Sequence, residues 1–329
     1  MYELRNKIVM VAGGAGFIGS ALIRELLAYG VRVVSYDNYL HGRPSNLEGL
    51  TGPLTIVQGD VSDRPQLIQT LETYNVDYII NCIGDPFVPT AYKKPQRSFD
   101  VNLYSTLALL MAAKSCCVKR ILHVSSWEVY GANASPKLSE EMPLNPLNTY
   151  AVSKLAADRL CFTSYLEHGL PIVIARPFNC YGPRETHPYI VPEIITQLNR
   201  GNILYLGNPS AERDLTYVHD TARALIAVLE SDVPNGEVIN IGSDITVSIG
   251  ELAYMVADIM EVPNLEIKPY EQRFRRSDND RSRCDNTKLR RYTHWSPQVE
   301  IEAGLRRTVS WVRKNGNQWS WGSVYQDET

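Results

Sequence analysis

The chain of 329 residues predicts an α/β fold built on a doubly wound parallel sheet. Three observations favour this class: apolar, β-rich runs alternate with helical patterns, the runs are almost continuously apolar, and glycines cluster after the first run. Continuous apolar runs suit strands that helices cover on both faces of a parallel sheet. The predicted strands cover residues 7–12, 31–36, 54–58, 77–81, 120–125 and 171–176.

Helical patterns fill the intervals between these strands. Apolar residues from Leu22 to Leu27 recur at helical spacing, and Gly30 provides a stop signal. Two longer helices are predicted from Ser98 to Cys117 and from Asn148 to His168. This alternation of strand and helix is typical of an open, doubly wound sheet.

The pattern becomes less regular after Pro177, where Pro, Gly and Asn are frequent. We expect residues 1–176 with 214–241 to form the larger domain. Residues 177–213 with 242–329 are expected to form a smaller α/β region at the carboxyl edge of the sheet. Within this part, residues 213–231 predict a strand and a helix that return to the main sheet.

Composition and charge exclude several classes of function. The net charge is −3, which provides no basic field for binding nucleic acid. The six cysteines are scattered without the spacing of a zinc site, and they favour reduced thiols in a cytoplasmic protein. No apolar run approaches the roughly 20 residues of a membrane span, and the first residues do not resemble a signal peptide. We expect no metal and no membrane partner.

The glycine-rich stretch GGAGFIG covers Gly13 to Gly19, between the first strand and the first helix. Gly13 permits a tight turn, Gly16 lets a ligand approach the backbone, and Gly19 lets the helix pack closely on the strand. The unpaired N–H groups of the helix then face a phosphate. The context predicts a dinucleotide-binding Rossmann loop, and the alternative is a tight turn without a ligand.

Carboxylates follow the next two strands. Asp37 lies 24 residues after Gly13, where it can accept hydrogen bonds from both ribose hydroxyls of an adenosine. It would repel a 2′-phosphate, so the sequence favours NAD over NADP. Asp60, after the third strand, can accept from the adenine amino group. For both residues the alternative is an Asp that caps a turn.

Tyr150 and Lys154 are four residues apart, which places them on one face of the predicted helix. An ammonium near a phenol favours the phenolate, so we expect the pKa of Tyr150 to be lowered towards neutrality. Such a base can take a proton from a sugar hydroxyl while hydride leaves the same carbon. Ser126, at the end of the fifth strand, is expected to hydrogen-bond the reacting hydroxyl, and Ser125 is a weaker candidate. The alternative is a helix face in solvent.

These pieces together resemble the extended short-chain dehydrogenase/reductase family of NAD-dependent nucleotide-sugar epimerases and dehydratases. The likeness covers nearly the whole chain and rests on GGAGFIG, DNYLHGRPSNL, QGDVSD, VNLYST, SSWEVYG, YAVSK, RPFNCYGP, RDLTYVHDTARAL and VINIGS. It implies tightly held NAD that oxidises the sugar at C4 and is regenerated within each turnover. The C-terminal part looks most like 4,6-dehydratases that act on UDP-N-acetylglucosamine-type substrates.

The resemblance also assigns residues. The implied catalytic residues are Tyr150, Lys154, Ser126 and Glu128. The implied cofactor-binding residues are Gly13, Gly16, Phe17, Ile18, Gly19, Asp37, Asn38, Asp60, Val61, Gly84, Asn102, Tyr150, Lys154 and Pro177. The implied substrate-binding residues are Asp85, Ser126, Trp127, Asn179, Arg213 and Arg281.

Three of the substrate-binding residues have a specific role by this likeness. Asn179 is expected to contact the phosphate or the sugar, Arg213 the nucleotide end, and Arg281 the diphosphate of a UDP- or dTDP-linked sugar. Arg275 and Arg276 are weaker candidates for the diphosphate. For Arg275, Arg276 and Arg281 the alternative is a solvated, charged loop.

The reaction depends on Glu128 and Trp127. Dehydratases of the family carry Asp-Glu here, so Glu128 matches the base that removes the C5 proton, whereas Trp127 cannot protonate the departing water. Dehydration is the preferred interpretation, with Glu128 both taking and returning the proton. A nucleotide-uronic acid decarboxylase needs no such acid, and a 4-epimerase needs only Ser126, Tyr150 and Lys154.

Two further expectations concern the whole molecule. A sensor or scaffold that binds NAD without turnover is the remote alternative, but such proteins typically lose the Tyr or the Lys. The resemblance implies a homodimer formed by the two long helices, and the apolar residues between Leu107 and Met111 are compatible with it.

Overall fold

The computed structural model of the chain describes residues 4–133, 135, 137–270 and 280–316. Its strands, in chain order, are β1 (Ile8–Ala12), β2 (Arg32–Asp37), β3 (Leu54–Gln58), β4 (Tyr78–Asn81), β5 (Arg120–Val124), β6 (Lys137–Leu138), β7 (Ile172–Pro177), β8 (Asn179–Tyr181), β9 (Ile203–Leu206), β10 (Glu212–Tyr217), β11 (Val238–Ile241), β12 (Thr246–Ser248), β13 (Glu266–Pro269) and β14 (Arg281–Cys284). Its α-helices are α1 (Phe17–Ala28), α2 (Arg64–Thr73), α3 (Val88–Lys93), α4 (Pro95–Phe99), α5 (Ser105–Ser115), α6 (Thr149–His168), α7 (Ile190–Leu198), α8 (Val218–Glu230), α9 (Ile249–Met260), α10 (Thr287–Thr293) and α11 (Ile301–Asn315). Two 3₁₀ turns cover Pro44–Leu47 and Trp127–Tyr130.

Seven parallel strands form the main sheet, in the order β11-β7-β5-β4-β1-β2-β3. All six predicted strands are present, and the predicted doubly wound fold is confirmed. The chain winds outwards from β1 in both directions, so the strand order reverses between β1 and β4. Ligands of open α/β sheets bind in the crevice at the carboxyl ends of the strands beside this reversal.

Helices cover both faces of the main sheet. The core on one face joins β1, β5, β7 and β11 to α1 and α8, and the core on the other face joins the sheet to α2, α5 and α6. This two-sided burial explains why the strands are almost continuously apolar in sequence. No helix in the described part of the chain is long and apolar enough to span a bilayer.

The predicted long helices are confirmed with one irregularity. The first is continued from α4 into α5 through a π-helical turn at Asp100–Tyr104. The second, α6, begins after Asn148, whose side chain accepts a hydrogen bond from the Ala151 amide at 2.8 Å. It ends at Gly169, which has φ +65°.

The smaller region contains two further sheets. One has the order β12-β10-β14-β6 with β8 paired to β10, and the other pairs β13 with β9. Its own apolar core joins α7, α9 and α11. One of its strands, β6, comes from the first half of the chain.

One predicted unit divides between the two regions. The sequence predicts that the strand in residues 213–231 returns to the main sheet, and this is wrong, because β10 pairs with β8, β12 and β14. Its helix, α8, does pack on the main sheet beside α1. The strand that returns to the main sheet is β11, which pairs with β7. The proposed division at residue 214 therefore cuts through β10.

Candidate active site

The glycine loop between β1 and α1 has the geometry of a phosphate cradle. Gly13 has φ +79°, a conformation that glycine adopts without strain. A Cβ on Gly19 would lie 2.1 Å from the carbonyl oxygen of Gly13, so only glycine lets the helix start this close to the strand. A Cβ on Gly16 would meet only that same oxygen, at 3.2 Å, and otherwise points into open space. The loop thus leaves its backbone accessible to an anion.

Asp37 is buried at the end of β2, beside this loop. Its two carboxylate oxygens accept hydrogen bonds from the amides of Ala15 at 2.9 Å and Tyr39 at 2.7 Å. Burial raises the pKa of Asp37, and these two hydrogen bonds oppose the rise. Each oxygen retains a lone pair that a ribose hydroxyl can use.

Asp60 lies on the outer side of Asp37. It accepts hydrogen bonds from the Asn38 side chain at 2.6 Å and from the Ser62 hydroxyl at 2.6 Å. The neighbouring Val61 is buried. Asp37, Asn38, Asp60 and Val61 are thus together at the ends of β2 and β3, where an adenosine would extend from the glycine loop.

Tyr150 and Lys154 are both buried on one face of α6. The Lys154 ammonium donates to the carbonyl of Val124 at 2.6 Å, which ties the helix to the end of β5. Burial lowers the pKa of Lys154 to about 8. The pKa of Tyr150 is raised by burial and by the charge of Glu128, while a hydrogen bond with Ser126 lowers it. The lowered phenol pKa that the sequence predicts is therefore wrong for the protein alone, because burial outweighs any effect of Lys154.

Glu128 and Ser126 meet Tyr150 from the 3₁₀ turn after β5. The Ser126 hydroxyl accepts from the Glu128 amide at 3.2 Å. The Glu128 carboxylate accepts from the side chain of Asn148 at 2.9 Å. Asn148 is also the residue that caps α6, so one side chain holds the Glu128 carboxylate and begins the helix that carries Tyr150 and Lys154. All four residues predicted to be catalytic line one cavity.

The structure gives Trp127 a packing role and no role in acid–base chemistry. Its ring is buried and stacks on Phe178, with ring centroids 5.8 Å apart and planes at 20°. It therefore fills space at the end of β5 while one edge lines the cavity. The structure places no second carboxyl group at position 127 beside Glu128.

A buried ion pair fixes the base of this site. The Arg176 guanidinium donates to both carboxylate oxygens of Asp158, at 2.9 and 3.1 Å. Ser125 donates to the same carboxylate at 2.9 Å, so its hydroxyl is used within the protein and Ser126 is the better candidate. Because Asp158 lies one turn after Lys154 on α6, this cluster joins α6, β5 and β7.

The remaining cofactor candidates surround the crevice. Gly84 follows β4, and a Cβ there would lie 3.2 Å from the Asn102 side chain and 3.8 Å from the Lys154 ammonium. Asn102 is fully buried, accepts from the Asp85 amide at 2.9 Å and donates to the Ser153 hydroxyl at 2.8 Å. Phe17, Ile18 and Pro177 also line the cavity, which has a volume of 360 Å³. The glycine cradle and these residues fit NAD.

The structure places some of the predicted substrate-binding residues in the cavity and others outside it. Asn179 and Arg213 line the cavity, and the Asn179 side-chain oxygen is buried without a hydrogen-bond partner in the described structure. Arg281 does not line it. Its side chain is 61% exposed and pairs with Glu212 at 2.6 Å. Arg275 and Arg276 lie outside the described residues.

Asp85 belongs to a polar cluster that the sequence analysis does not foresee. Its carboxylate accepts from Arg97 at 3.0 Å and lies 3.5 Å from His41. The possible ligand atoms of Asp85, His41 and His187 are within 4.8 Å of one another. Arg97 also contacts the His41 ring at 2.9 Å, so a guanidinium already provides the positive charge of this cluster. Burial lowers the pKa of His187 to about 4, and its ring is neutral.

Glu185 is a second residue that sequence reasoning misses. It lines the cavity, is 1% exposed and has no hydrogen-bond partner for either carboxyl oxygen in the described structure. Burial raises its pKa well above the usual range. Its position in YGPRET carries no spacing signal, because β8 and the following loop bring it to the cavity from a distant part of the chain.

Known proteins with this architecture are nucleotide-sugar enzymes. The chain is 32% identical over 328 residues to a UDP-N-acetyl-α-D-glucosaminuronate decarboxylase of Bacillus cytotoxicus, covering 95% of this chain and 99% of the relative. It is 29% identical over 331 residues to human dTDP-D-glucose 4,6-dehydratase, covering 95% and 92%.

Solved structures give the same result. A dTDP-glucose 4,6-dehydratase from Streptomyces venezuelae, solved with NAD bound, has a TM-score of 0.86 at 30% identity and covers 95% of this chain and 99% of its own. A UDP-N-acetylglucosamine 4-epimerase from Methanobrevibacter ruminantium has a TM-score of 0.85 at 30% identity, covering 94% and 99%. Residues 10–308 match the family described as GDP-mannose 4,6 dehydratase. The chain therefore belongs to this family, as its resemblance to the extended short-chain dehydrogenase/reductase epimerases and dehydratases predicts.

Proposed function

We propose that the protein is an NAD-dependent enzyme that oxidises a nucleotide sugar at C4, and that its overall reaction is 4,6-dehydration. One observation carries the proposal. Ser126, Glu128 and Tyr150 line one cavity, and the Tyr150 phenol is hydrogen-bonded to Ser126. A base for the C4 hydroxyl and a base for the C5 proton thus share one cavity.

The residues of the chain then have separate tasks. Ser126 holds the C4 hydroxyl, Tyr150 takes its proton, and the cationic Lys154 favours the phenolate by its charge. NAD, when bound, would accept the hydride from C4 and return it to C6 after water has left, while C5 regains a proton from solvent. Glu128 removes the C5 proton, which the adjacent C4 carbonyl has made acidic, and gives a proton back to the oxygen that leaves C6. Asn148 keeps the Glu128 carboxylate in place.

Decarboxylation of a nucleotide-uronic acid is the second candidate, and Trp127 favours it. Loss of carbon dioxide from a 4-keto uronic acid needs no acid for departing water, and Trp127 offers none. The relative from Bacillus cytotoxicus carries the name of such an enzyme. A 4-epimerase would use Tyr150, Lys154 and Ser126 without any chemical role for Glu128.

A panel of UDP- and dTDP-linked hexoses and uronic acids, analysed by mass spectrometry, distinguishes these reactions. Dehydration lowers the product mass by one water, decarboxylation lowers it by one carbon dioxide, and epimerisation leaves it unchanged. The dehydratase proposal expects a loss of water. Unchanged mass with every substrate that reduces the bound NAD would contradict it.

Glu128→Gln tests the role of the carboxylate. We expect the transient near the NADH absorption band to persist, because C4 oxidation does not need Glu128. Exchange of the C5 proton with solvent deuterium and product formation should stop. Glu141→Gln, at an exposed position, is the matched control and should behave like the parent enzyme. Full product formation by Glu128→Gln would favour the epimerase.

Three finer features are part of the proposal. Tyr104, Leu107 and Met111 expose apolar side chains along one helical stripe, and Val152 does so on α6. This surface supports a homodimer formed by the two long helices, which sedimentation analysis can test.

The substrate is proposed to be UDP- or dTDP-linked, as in the relatives' names. The scattered thiols of the sequence support a cytoplasmic location.

A further inference from the structure

The carboxyl group of Glu185 is the least satisfied polar group of the cavity wall. Both of its oxygens are buried and lack a hydrogen-bond partner within the described part of the chain. Native proteins rarely leave a buried polar group in this state, because its lost hydration is not compensated. Burial without a compensating partner in the described structure disfavours the carboxylate, so it raises the pKa of Glu185 well above its usual range and favours the neutral carboxylic acid. A bound molecule is the natural source of its missing partners.

The surroundings of Glu185 indicate which molecule this is. Glu185 lines the same cavity as Gly13 and Gly16 of the glycine loop. Tyr150 and Cys180 also line it, and the charge of Glu185 adds to the effect of burial in raising the pKa of Cys180. Glu185 therefore shares one cavity with both the glycine cradle and the Tyr150 phenol.

A bound dinucleotide must extend through this cavity from the glycine cradle to Tyr150. Its phosphates rest on the glycine cradle, and its reactive ring must face the carbon whose hydroxyl Tyr150 deprotonates. The nicotinamide ring and its carboxamide would thus lie in the cavity that Phe17, Ile18, Cys180 and Glu185 all line.

The chemistry of the two groups is complementary. A neutral carboxylic acid presents one O–H donor and one carbonyl acceptor side by side. A primary carboxamide presents one acceptor and one N–H donor with the same separation. The two can form a closed pair with two hydrogen bonds, which would satisfy both Glu185 oxygens together. A single sugar hydroxyl has only one oxygen with which to do so.

We propose that Glu185 binds the carboxamide of the nicotinamide ring through this acid–amide pair and so fixes which face of the ring points towards the substrate. The inference rests on the NAD requirement of the proposed function. It is independent of whether the enzyme performs dehydration, decarboxylation or epimerisation.

The test compares NAD with 3-acetylpyridine adenine dinucleotide, in which a methyl group replaces the carboxamide NH₂. Isothermal titration calorimetry measures both affinities for the full-length protein and two variants. The parent protein should prefer NAD by about tenfold, the value of one hydrogen bond. Glu185→Gln keeps a donor beside an acceptor and should retain this preference. Glu185→Met has similar length but neither group, so it should bind both dinucleotides equally.

Glu193→Gln is the matched control. Glu193 is also a buried glutamate of the cavity wall, but its carboxylate already accepts from Gln197 at 2.8 Å. This variant should keep the preference for NAD, and thermal unfolding should show that all variants fold. A parent-like preference in Glu185→Met, or equal binding in Glu185→Gln, would overturn the proposal. Failure of the parent protein to bind NAD would overturn the proposed function as well, whereas absence of turnover alone would leave the binding ratios readable.

Discussion

The two sides of the candidate active site differ in how their polar groups are satisfied. On the cofactor side, Asp37 and Asn102 are buried and already hydrogen-bonded within the protein. On the opposite side, Asn179, Asp85 and Glu185 each keep at least one buried oxygen without a partner in the described structure. The side with Asp37 and Asn102 is thus complete before any ligand binds, whereas the opposite side is completed by its ligands, which for Glu185 is the nicotinamide end of NAD as proposed above. Binding energy and specificity should therefore be distributed differently on the two sides.

The largest expected effect comes from Tyr150→Phe, since the proposed first chemical step depends on the phenol of this residue. Loss of the base should lower turnover by about 10²–10⁴-fold, while the bound NAD remains, because the cofactor side is unchanged. Stopped-flow measurement of C4 oxidation and absorbance of the purified protein check both expectations. Tyr165→Phe, farther along α6, is the control and should keep full turnover. Normal C4 oxidation in Tyr150→Phe would remove the residue from its proposed role.

Substitutions at two glycines of the cofactor side can distinguish an effect on stability from an effect on NAD binding. Gly19→Ala places a methyl group against the Gly13 carbonyl and should destabilise the fold by about 1–3 kcal/mol, as overpacking typically does, and also weaken NAD binding. Gly16→Ala points into the cradle, so it should weaken NAD binding with little change in stability. Thermal unfolding and calorimetry measure the two quantities. Equal effects of both variants on stability would contradict the packing geometry.

Two arginines test the substrate side. Arg213→Ala removes a buried cation from the cavity wall and should raise KM about tenfold, the value of one charge-assisted hydrogen bond. Arg281→Ala removes an exposed ion pair, and such pairs contribute little, so KM should change less than twofold. An equal rise in KM for both variants would contradict this expectation. It would mean that Arg281 contacts the diphosphate when the substrate binds, as the resemblance of the chain to its family implies.

The smallest expected effect is a shift in pH dependence. The charge of Glu128 raises the pKa of Tyr150, second to burial. Glu128→Gln removes this charge, so the phenolate should form at a lower pH. The rate of C4 oxidation, followed by the NADH transient, should then reach half of its maximum at a lower pH than in the parent enzyme. A shift in the opposite direction would mean that the carboxylate does not face the phenol.

The cofactor side could be predicted from the sequence because its residues act through local backbone geometry. Three glycines at fixed spacing, a carboxylate at a strand end, and a Tyr and a Lys one helical turn apart are all visible without a structure. The strands of the main sheet could also be predicted from local sequence, because burial on both faces requires a continuous apolar run.

The opposite side could not be predicted in this way. Asp85, His41 and His187 approach one another only because three separate loops meet at the carboxyl edge of the main sheet. Glu185 is one of many glutamates, and its burial depends on packing that no spacing records. For a related reason, the sequence predicts the wrong sheet for β10. Its own sequence does not show that β8, β12 and β14 compete for its edges.

The Asp158–Arg176 ion pair has a consequence for how the enzyme works. Its carboxylate holds the end of β5 through Ser125 and the helix that carries Tyr150 and Lys154, at one buried point. The distance between Tyr150, the proposed proton acceptor, and Ser126, the proposed partner of the sugar hydroxyl, is therefore set during folding of the polypeptide. The entropy of aligning these groups is already lost when the sugar arrives, which is the arrangement that favours a fast first chemical step.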